Sequence, residues 1–262
     1  MRWDKMDNKK DVKAVFSRNK ESYVKSSTHA QGNDLSLLPS WLNPTQEMSV
    51  LDIATGGGHV AKKLAPYVKT VFATDLTREM LDNTASHLKH YNNIHYVIVD
   101  AEDLPFLDNS FDIITCRIAA HHFPNPMTFI KEVQRVLKAD GKFLLIDNIA
   151  PENQKYDQFI NSLEKIRDYS HYRSHSVSEW NRFFKTHHLV IDKEKKNKKQ
   201  LPFKEWVNRT LANKADITNV EQYILKSSED IKKYYQIIIK DEEIQSFTID
   251  EWMVLLKKDL SF

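Results

Sequence analysis

The stretch Ser49-Val50-Leu51-Asp52-Ile53-Ala54-Thr55-Gly56-Gly57-Gly58 reads as a short buried strand that ends in bare backbone, and helical spacing follows at once in His59-Val60-Ala61-Lys62-Lys63-Leu64. Only five glycines occur in the 262 residues, and three of them are these. A chain that uses glycine so sparingly places it where the backbone must turn tightly or let another molecule approach. Strand, glycine turn and helix form the entry to a nucleotide-type cofactor site. A close-packed strand–helix turn is the plainer alternative. The spacing is not the dehydrogenase pattern G-x-G-x-x-G, whose third glycine would fall on Ala61.

Outward from this stretch, strands and helices alternate between Met48 and Ala150. Strands are expected at Met48–Ala54, Lys69–Thr74, Ile94–Val99, Phe111–Arg117 and Lys142–Asn148. Helices are expected at His59–Pro66, at Thr77–His90 with Thr77 as N-cap, and at Pro126–Lys138 with proline at its start. Ala139-Asp140-Gly141 reads as a turn into the last strand. Such alternation implies a parallel sheet covered on both faces, an α/β doubly wound fold. Right-handed crossovers then put every strand's carboxyl end on one rim, at Thr55–Gly58, Asp75, Asp100, Arg117 and Asp147. Function should collect there.

Three segments follow: an N-terminal helical cap in residues 1–47, the α/β core in 48–150, and a helical insertion with terminal strands in 151–262. In the first, helices are expected near Val12–Arg18 and Asp34–Trp41. After Pro151 helical patterns cover Lys155–Tyr169, Val177–Thr186, Pro202–Leu211 and Val220–Tyr234. A short strand is expected at Leu189–Asp192, and two more, Tyr235–Lys240 and Ile244–Lys257, joined by Asp241-Glu242-Glu243. The run Lys193-Glu194-Lys195-Lys196-Asn197-Lys198-Lys199 fits a solvated strand edge, where lysine discourages edge-to-edge pairing, better than a nucleic-acid patch.

Net charge is +2, from 38 basic and 36 acidic residues, without the excess of a strongly basic nucleic-acid binder. One cysteine, Cys116, excludes an intrachain disulfide and suits a reducing compartment; it lies in an apolar strand as a core residue. Met1–Asp11 is polar, without the apolar centre of a signal peptide, and no apolar run approaches the roughly 18 residues of a membrane span. A cytoplasmic protein is expected, with no membrane partner and with room for a homodimer.

Asp75 closes the second strand, where an acidic residue can accept hydrogen bonds from both hydroxyls of a ribose; a helix-initiating aspartate is the alternative. Asp100-Ala101-Glu102 follows the third strand, where a carboxylate can accept from an adenine amino group and a small side chain leaves room for the ring.

Leu51–Gly58, Thr74–Leu81, Asp100–Phe106, Leu107-Asp108-Asn109-Ser110-Phe111-Asp112 and Arg135–Gly141 resemble, in order and spacing, the class I S-adenosylmethionine-dependent methyltransferases. The likeness is nearest to the group around the ubiquinone/menaquinone biosynthesis C-methyltransferases. Cys116–Phe123, Asp147–Glu152 and Arg167-Asp168-Tyr169-Ser170-His171 resemble a bacterial subfamily of largely unassigned substrate. The resemblance implies a Rossmann-like, mostly parallel seven-stranded sheet with a helical cap, and S-adenosylmethionine as cofactor with S-adenosylhomocysteine as product. It implies that Asp52, Ala54, Gly56 and Gly58 floor the methionine and ribose parts, and that Asp75 holds the ribose hydroxyls. Leu76 and Met80 would pack near the adenine, Asp100 and Ala101 would flank it, and Arg117 would lie beside the methionine end. Relatives more often carry a second acidic residue or glycine where this chain has Ala54-Thr55. Phe16 and Tyr23 lie in the segment that closes over the cofactor in relatives, or they belong to the cap's own core.

In-line displacement at a sulfonium asks the protein to position the nucleophile and exclude water. A base is needed only when the acceptor must lose a proton. Candidates are His121, His122, Asp147 and His171, and if His121 and His122 continue one helical turn they cannot both face the cofactor. His171 and His175 could share a helix face as metal ligands do, but no matching third ligand is evident and no metal is expected. Base methyltransferases acting on exocyclic amines carry an Asn/Asp-Pro-Pro-aromatic turn where this chain has Arg117-Ile118-Ala119-Ala120, which argues against nucleic acid. Trp180, Phe183, Phe184, Phe203 and Trp206 either roof an apolar acceptor pocket or form the insertion's core. A small-molecule methyltransferase is the expected function. A non-catalytic S-adenosylmethionine-binding regulator and a nucleotide-dependent oxidoreductase are the alternatives.

Overall fold

The structure, a computed structural model, describes residues 8–18 and 33–261. Tyr23 therefore lies outside the described residues. Two helices, α1 (8–18) and α2 (Asn33–Leu42), precede the sheet. Its parallel strands are β1 (Ser49–Ile53), β2 (Thr70–Asp75), β3 (Ile94–Ile98), β4 (Phe111–Arg117) and β5 (Leu137–Ile149). Helices α3 (His59–Leu64), α4 (Arg78–His87) and α5 (Pro126–Val136) make the crossovers, while β3 reaches β4 without one. Then come α6 (Gln154–Arg167), α7 (Val177–Thr186), β6 (Leu189–Pro202), α8 (Phe203–Val207), α9 (Lys214–Leu225), α10 (Glu229–Tyr234), β7 (Ile238–Lys240) and β8 (Glu243–Lys258).

The strand order is β3-β2-β1-β4-β5-β8-β6, with the short β7 pairing β8 off this path. The seven-strand doubly wound sheet is as expected, with an antiparallel β8 lodged between β5 and β6. Strand order reverses at β1, so a crevice opens past the carboxyl ends of β1 and β4, where ligands bind in open α/β sheets.

Alternation along the buried strands divides the core in two. Phe143 and Leu145 of β5, with Trp252 and Val254 of β8, pack with Phe129 and Val133 of α5 and with Trp180 and Phe184 of α7. Leu144 and Ile146, with Met253 and Leu255, pack on the other face with Leu38 and Leu42 of α2 and with Val60 and Leu64 of α3. Apolar runs are what strands covered on both faces require. A third core holds the cap: Phe159 and Leu163 of α6, Trp206 of α8, Val220 of α9 and Tyr235. Of the five aromatics, Phe203 and Trp206 lie in this cap core, as in the plainer reading, while Trp180, Phe183 and Phe184 pack into the sheet's own core.

Several expectations are corrected. Ala139-Asp140-Gly141 lies inside β5: the strand runs from Leu137 to Lys142 while β4 advances only from Phe111 to Ile113, so the turn survives as a bulge. The strand placed at Leu189–Asp192 extends to Pro202 and takes in the lysine run as the outermost strand. Exposed on most of its length, it lacks the apolar alternation that reveals half-buried strands. The helix expected over Val220–Tyr234 is two, α9 and α10, broken at Lys226-Ser227-Ser228. Only Ile238–Lys240 of the segment from Tyr235 is strand. Thr77 is the N-cap of α4, but its side chain makes no cap bond. No helix among the described residues is long and apolar enough to cross a membrane.

Candidate functional site

Beyond β1 the backbone takes left-handed turns at Ala54 (φ 53°), Gly56 (φ 51°) and Gly58 (φ 75°). Thr55 donates its N–H to Thr74 O at 2.7 Å, Gly58 its N–H to Thr55 O at 2.9 Å, and the Thr84 hydroxyl donates to Gly56 O at 2.6 Å. A Cβ at Gly58 would stand 2.5 Å from Thr84 Cγ2 and 2.8 Å from Leu88 Cδ1, so this glycine lets α4 press against the loop. A Cβ at Gly56 would meet nothing closer than Met80 Cε at 3.9 Å. Gly56 and Gly57 line the crevice; Gly58 and Met80 do not. Both were expected at the cofactor. Instead Gly58 serves packing, and the fully buried Met80 lies behind Gly56.

Asp75 is built into the loop. Its Oδ2 accepts the Gly56 N–H at 3.1 Å and its Oδ1 the Thr77 N–H at 2.9 Å. Burial pushes its carboxyl up to about 6 against those bonds. Asp52 behaves alike: its oxygens accept the hydroxyls of Thr55 at 2.6 Å and Thr115 at 2.8 Å, and burial raises it to about 6. Asp52, Ala54, Leu76, Asp100, Ala101 and Arg117 all line the crevice, which encloses about 990 Å³, open solvent at its mouth included.

Two pairings there join residues far apart in sequence, and neither was foreseen. Lys9 of α1 donates to Asp100 at 2.6 Å and to Glu102 at 2.7 Å, and itself lines the crevice. Arg117 grips Asp34 of α2 through Nε and through Nη2, the latter at 3.1 Å, with both side chains nearly buried. Burial would raise the Asp34 carboxyl, but the guanidinium holds it below the usual range. Ile118 follows with φ 53°, an outlier for a β-branched residue, and with Ala54 it lines the crevice. Strained backbone of this sort gathers at ligand sites.

A 3₁₀ turn at Ala120–His122 sends two imidazoles different ways. His122 lines the crevice, packs edge-on to Phe16 with centroids 5.1 Å apart, and donates Nδ1–H to Ser170 O at 3.0 Å. Burial, then the neighbouring His121, lowers it to about 4, leaving it neutral. His121 turns from the crevice towards a second chamber of about 510 Å³, open solvent at its mouth included, which shares Phe16, Ile118 and His122 with the first. Its Nδ1 lies 2.6 Å from Asp147 Oδ1, and its backbone N–H donates to Asp147 Oδ2 at 3.0 Å. Burial works against the imidazolium, but the Asp147 carboxylate, with Glu164 and Asp168, raises the His121 pKa on balance. Asp147 lines neither cavity; it lies behind His121 and orients it.

His171 packs behind the site, its ring centroid 5.5 Å from that of His121. It lines neither cavity, stays neutral through burial and the adjacent histidines, and shares a hydrogen bond between Nε2 and Asn161 Oδ1 at 3.0 Å. It and His175 sit in the irregular segment between α6 and α7, not on one helix face. Among the described residues no group of three His, Cys, Asp or Glu could hold a metal ion.

Known proteins share this architecture. Residues 51–145 match the methyltransferase domain family. The Bacillus subtilis methyltransferase YcgJ, itself uncharacterized, is 41% identical over 196 residues, 74% of this chain and 78% of that protein. Its crystal structure superposes with a TM-score of 0.82 at 34% identity, over 86% of this chain and 97% of that one. A putative methyltransferase of Bacillus halodurans C-125 gives a TM-score of 0.83 at 36% identity, over 87% of this chain and 99% of its own. The ubiquinone/menaquinone biosynthesis C-methyltransferase UbiE of Rickettsia typhi is 34% identical over 113 residues, only 40% of this chain and 46% of that protein. The oxidoreductase alternative falls away, and the chain belongs, as an enzyme, to the class I S-adenosylmethionine-dependent methyltransferases, with a resemblance to the UbiE-like group.

Proposed function

We propose that the protein transfers the methyl group of S-adenosylmethionine, held in the crevice past β1, to a small molecule held in the adjoining chamber. One observation carries this reading: the Asp75 carboxylate, fixed by the Gly56 and Thr77 N–H groups, lines a crevice floored by bare glycine backbone.

The residues fit the cofactor chemically. Its ribose hydroxyls, adenine amino group, ammonium and sulfonium are donors or cations, and the crevice offers the carboxylates of Asp52, Asp75 and Asp100. Asp75 would take the ribose hydroxyls, and Leu76, Val99 and Ala101 would enclose the flat ring. Asp100 would accept from its amino group, sharing its carboxylate with Lys9. Gly56 and Gly57 would let the sugar lie against backbone, and Arg117, spanned to Asp34, would wall the methionine end. When bound, the cofactor supplies an activated methyl group on sulfur, displaced in line by the acceptor.

The chain's own part is to orient the acceptor, exclude water and remove a proton where the acceptor carries one. His121 is the base we assign. Asp147 accepts its Nδ1–H, which leaves the Nε2 lone pair on the chamber side. The core of residues 48–150 would carry the cofactor and supply His121, and 151–262 would complete the acceptor side. The buried Cys116 fits a cytoplasmic setting.

Isothermal titration of the protein with S-adenosylmethionine, S-adenosylhomocysteine and NAD tests the cofactor assignment. Heat with the first two and none with NAD is the expected result; no binding of either sulfur compound overturns it.

A further inference from the structure

The chamber beside His121 has an uneven supply of hydrogen-bonding groups. Its cations are engaged. Arg167 donates Nε and Nη2 to Glu164 Oε2 at 3.1 and 2.7 Å and Nη1 to Thr210 at 3.1 Å, with its guanidinium 4.7 Å above the Trp206 ring. Lys199 is paired with Glu251 at 2.9 Å. Arg209, the third cation on the wall, also has a partner.

The acceptors are not used up. Glu164 spends Oε2 on Arg167, and among the described residues nothing donates to Oε1. Asp168 spends Oδ1 on the Ser170 N–H at 2.9 Å and hydroxyl at 2.6 Å, and nothing donates to Oδ2. Both residues are more than nine-tenths buried and both line the chamber. Asn148 Oδ1, also on the wall, is buried without a partner, and His121 Nε2 has none. Of these atoms Asn148 Oδ1 is itself shut off from solvent, and the open carboxylate oxygens of the two largely buried residues would gain from a ligand that supplies donors. Charge decides which ligand. An oxygen or carbon acid would have to become an anion beside Asp147, Glu164 and Asp168, whereas an ammonium brings the donors that Glu164 Oε1 and Asp168 Oδ2 lack, the wall's own cations being already engaged.

We propose that the methyl acceptor is a small amine, which enters as its ammonium and lies against Glu164 and Asp168 with His121 beside it. The proposal deepens the methyltransferase reading and rests on it. The ammonium gives one proton to His121 Nε2. The freed nitrogen lone pair forms the N–C bond as the C–S bond breaks, and that electron pair stays on sulfur. The product is a methylated ammonium, the thioether S-adenosylhomocysteine and a protonated His121, which returns its proton to solvent. The carboxylates thus face a cation before and after transfer. The apolar wall of Phe16, Ile118 and Trp206 would hold the amine's hydrocarbon part.

Three probes of matched shape test the assignment: benzylamine, benzyl alcohol and benzoate, titrated into the full chain saturated with S-adenosylhomocysteine. Benzylamine is expected to bind about ten-fold or more tighter than either of the others. Asp168→Asn, which keeps the Oδ1 acceptor for Ser170, is expected to erase most of that preference, and Glu164→Gln to act in the same direction. Each variant's affinity for S-adenosylhomocysteine should match the wild type, which shows that it is folded. Equal binding of the three probes by the wild type, tighter binding of benzoate, or a preference that survives in folded Asp168→Asn overturns the amine assignment alone. Failure of S-adenosylhomocysteine to bind the wild type overturns the cofactor reading and this proposal with it.

Discussion

Asp147 holds His121 at two points: one carboxylate oxygen lies 2.6 Å from the ring Nδ1 and the other accepts the same residue's backbone N–H at 3.0 Å. Side chain and main chain are therefore located together, and the ring cannot swing without giving up a charge-assisted bond. Such a clamp fixes the tautomer and leaves Nε2 as the basic atom.

His121→Ala is expected to slow methyl transfer to an amine acceptor by about 10²–10⁴-fold. Affinity for S-adenosylhomocysteine should hold, because the ring faces the other chamber. Single-turnover transfer of radiolabelled methyl measures the first and titration the second. Asp147→Asn should give a smaller loss and move the pH at which the rate falls on the acid side, a shift that a merely structural role would not produce.

Asp75 gives a pH dependence of known sign. Its folded pKa, about 6, lies above the 3.8 of a free aspartate. The folded protein therefore keeps this proton longer than the unfolded chain, and stability falls as pH rises from about 4 to about 6, then levels. Asp75→Asn should remove its share of this fall, on the order of 1–3 kcal/mol, in urea titrations across that range, leaving the share of Asp52. Ribose hydroxyls favour the ionised form, so affinity for S-adenosylhomocysteine should rise as pH passes 6. Asp52, raised to the same value, adds to the rise. Asp75→Ala should weaken binding at neutral pH by about 1–3 kcal/mol.

The two glycines should separate in a stability assay. Gly58→Ala puts a Cβ 2.5 Å from Thr84 Cγ2 at φ 75° and is expected to cost about 2–4 kcal/mol in chemical denaturation. Gly56→Ala, with its nearest neighbour at 3.9 Å, should cost about 1–2 kcal/mol from backbone strain alone.

Lys9 should act as the latch of α1. Lys9→Met removes the donors to Asp100 and Glu102, and hydrogen exchange of residues 8–18 is expected to quicken while the sheet's protection is unchanged.

Features set by local chemistry were legible beforehand. The apolar runs of β1 and β4 form the buried strands that alternation predicts, and Gly56, Gly57, Asp75, Asp100 and Arg117 line the crevice at the predicted rim. What escaped depends on residues far apart in sequence. Nothing at Lys9 announces Asp100, and nothing at Asp34 announces Arg117, because each pair exists only once two helices have docked. Met80 and Gly58 have the residue types of a cofactor site and the positions of packing. The start of β6 is legible at Leu189 but its reach to Pro202 is not, because an edge strand solvated along most of its length carries no period-two signal; its lysines announce the edge and not its length.

Strand β8 stands between β5 and β6 and bonds to both. The order of synthesis therefore differs from the order of assembly: β6 is made well before the strand that must precede it in the sheet. Until β8 arrives, β5 carries an open edge and β6 has nothing to pair with. A nascent chain must spend that interval with its lysine-rich strand adrift, and charge is what keeps such a strand from adding to a neighbour.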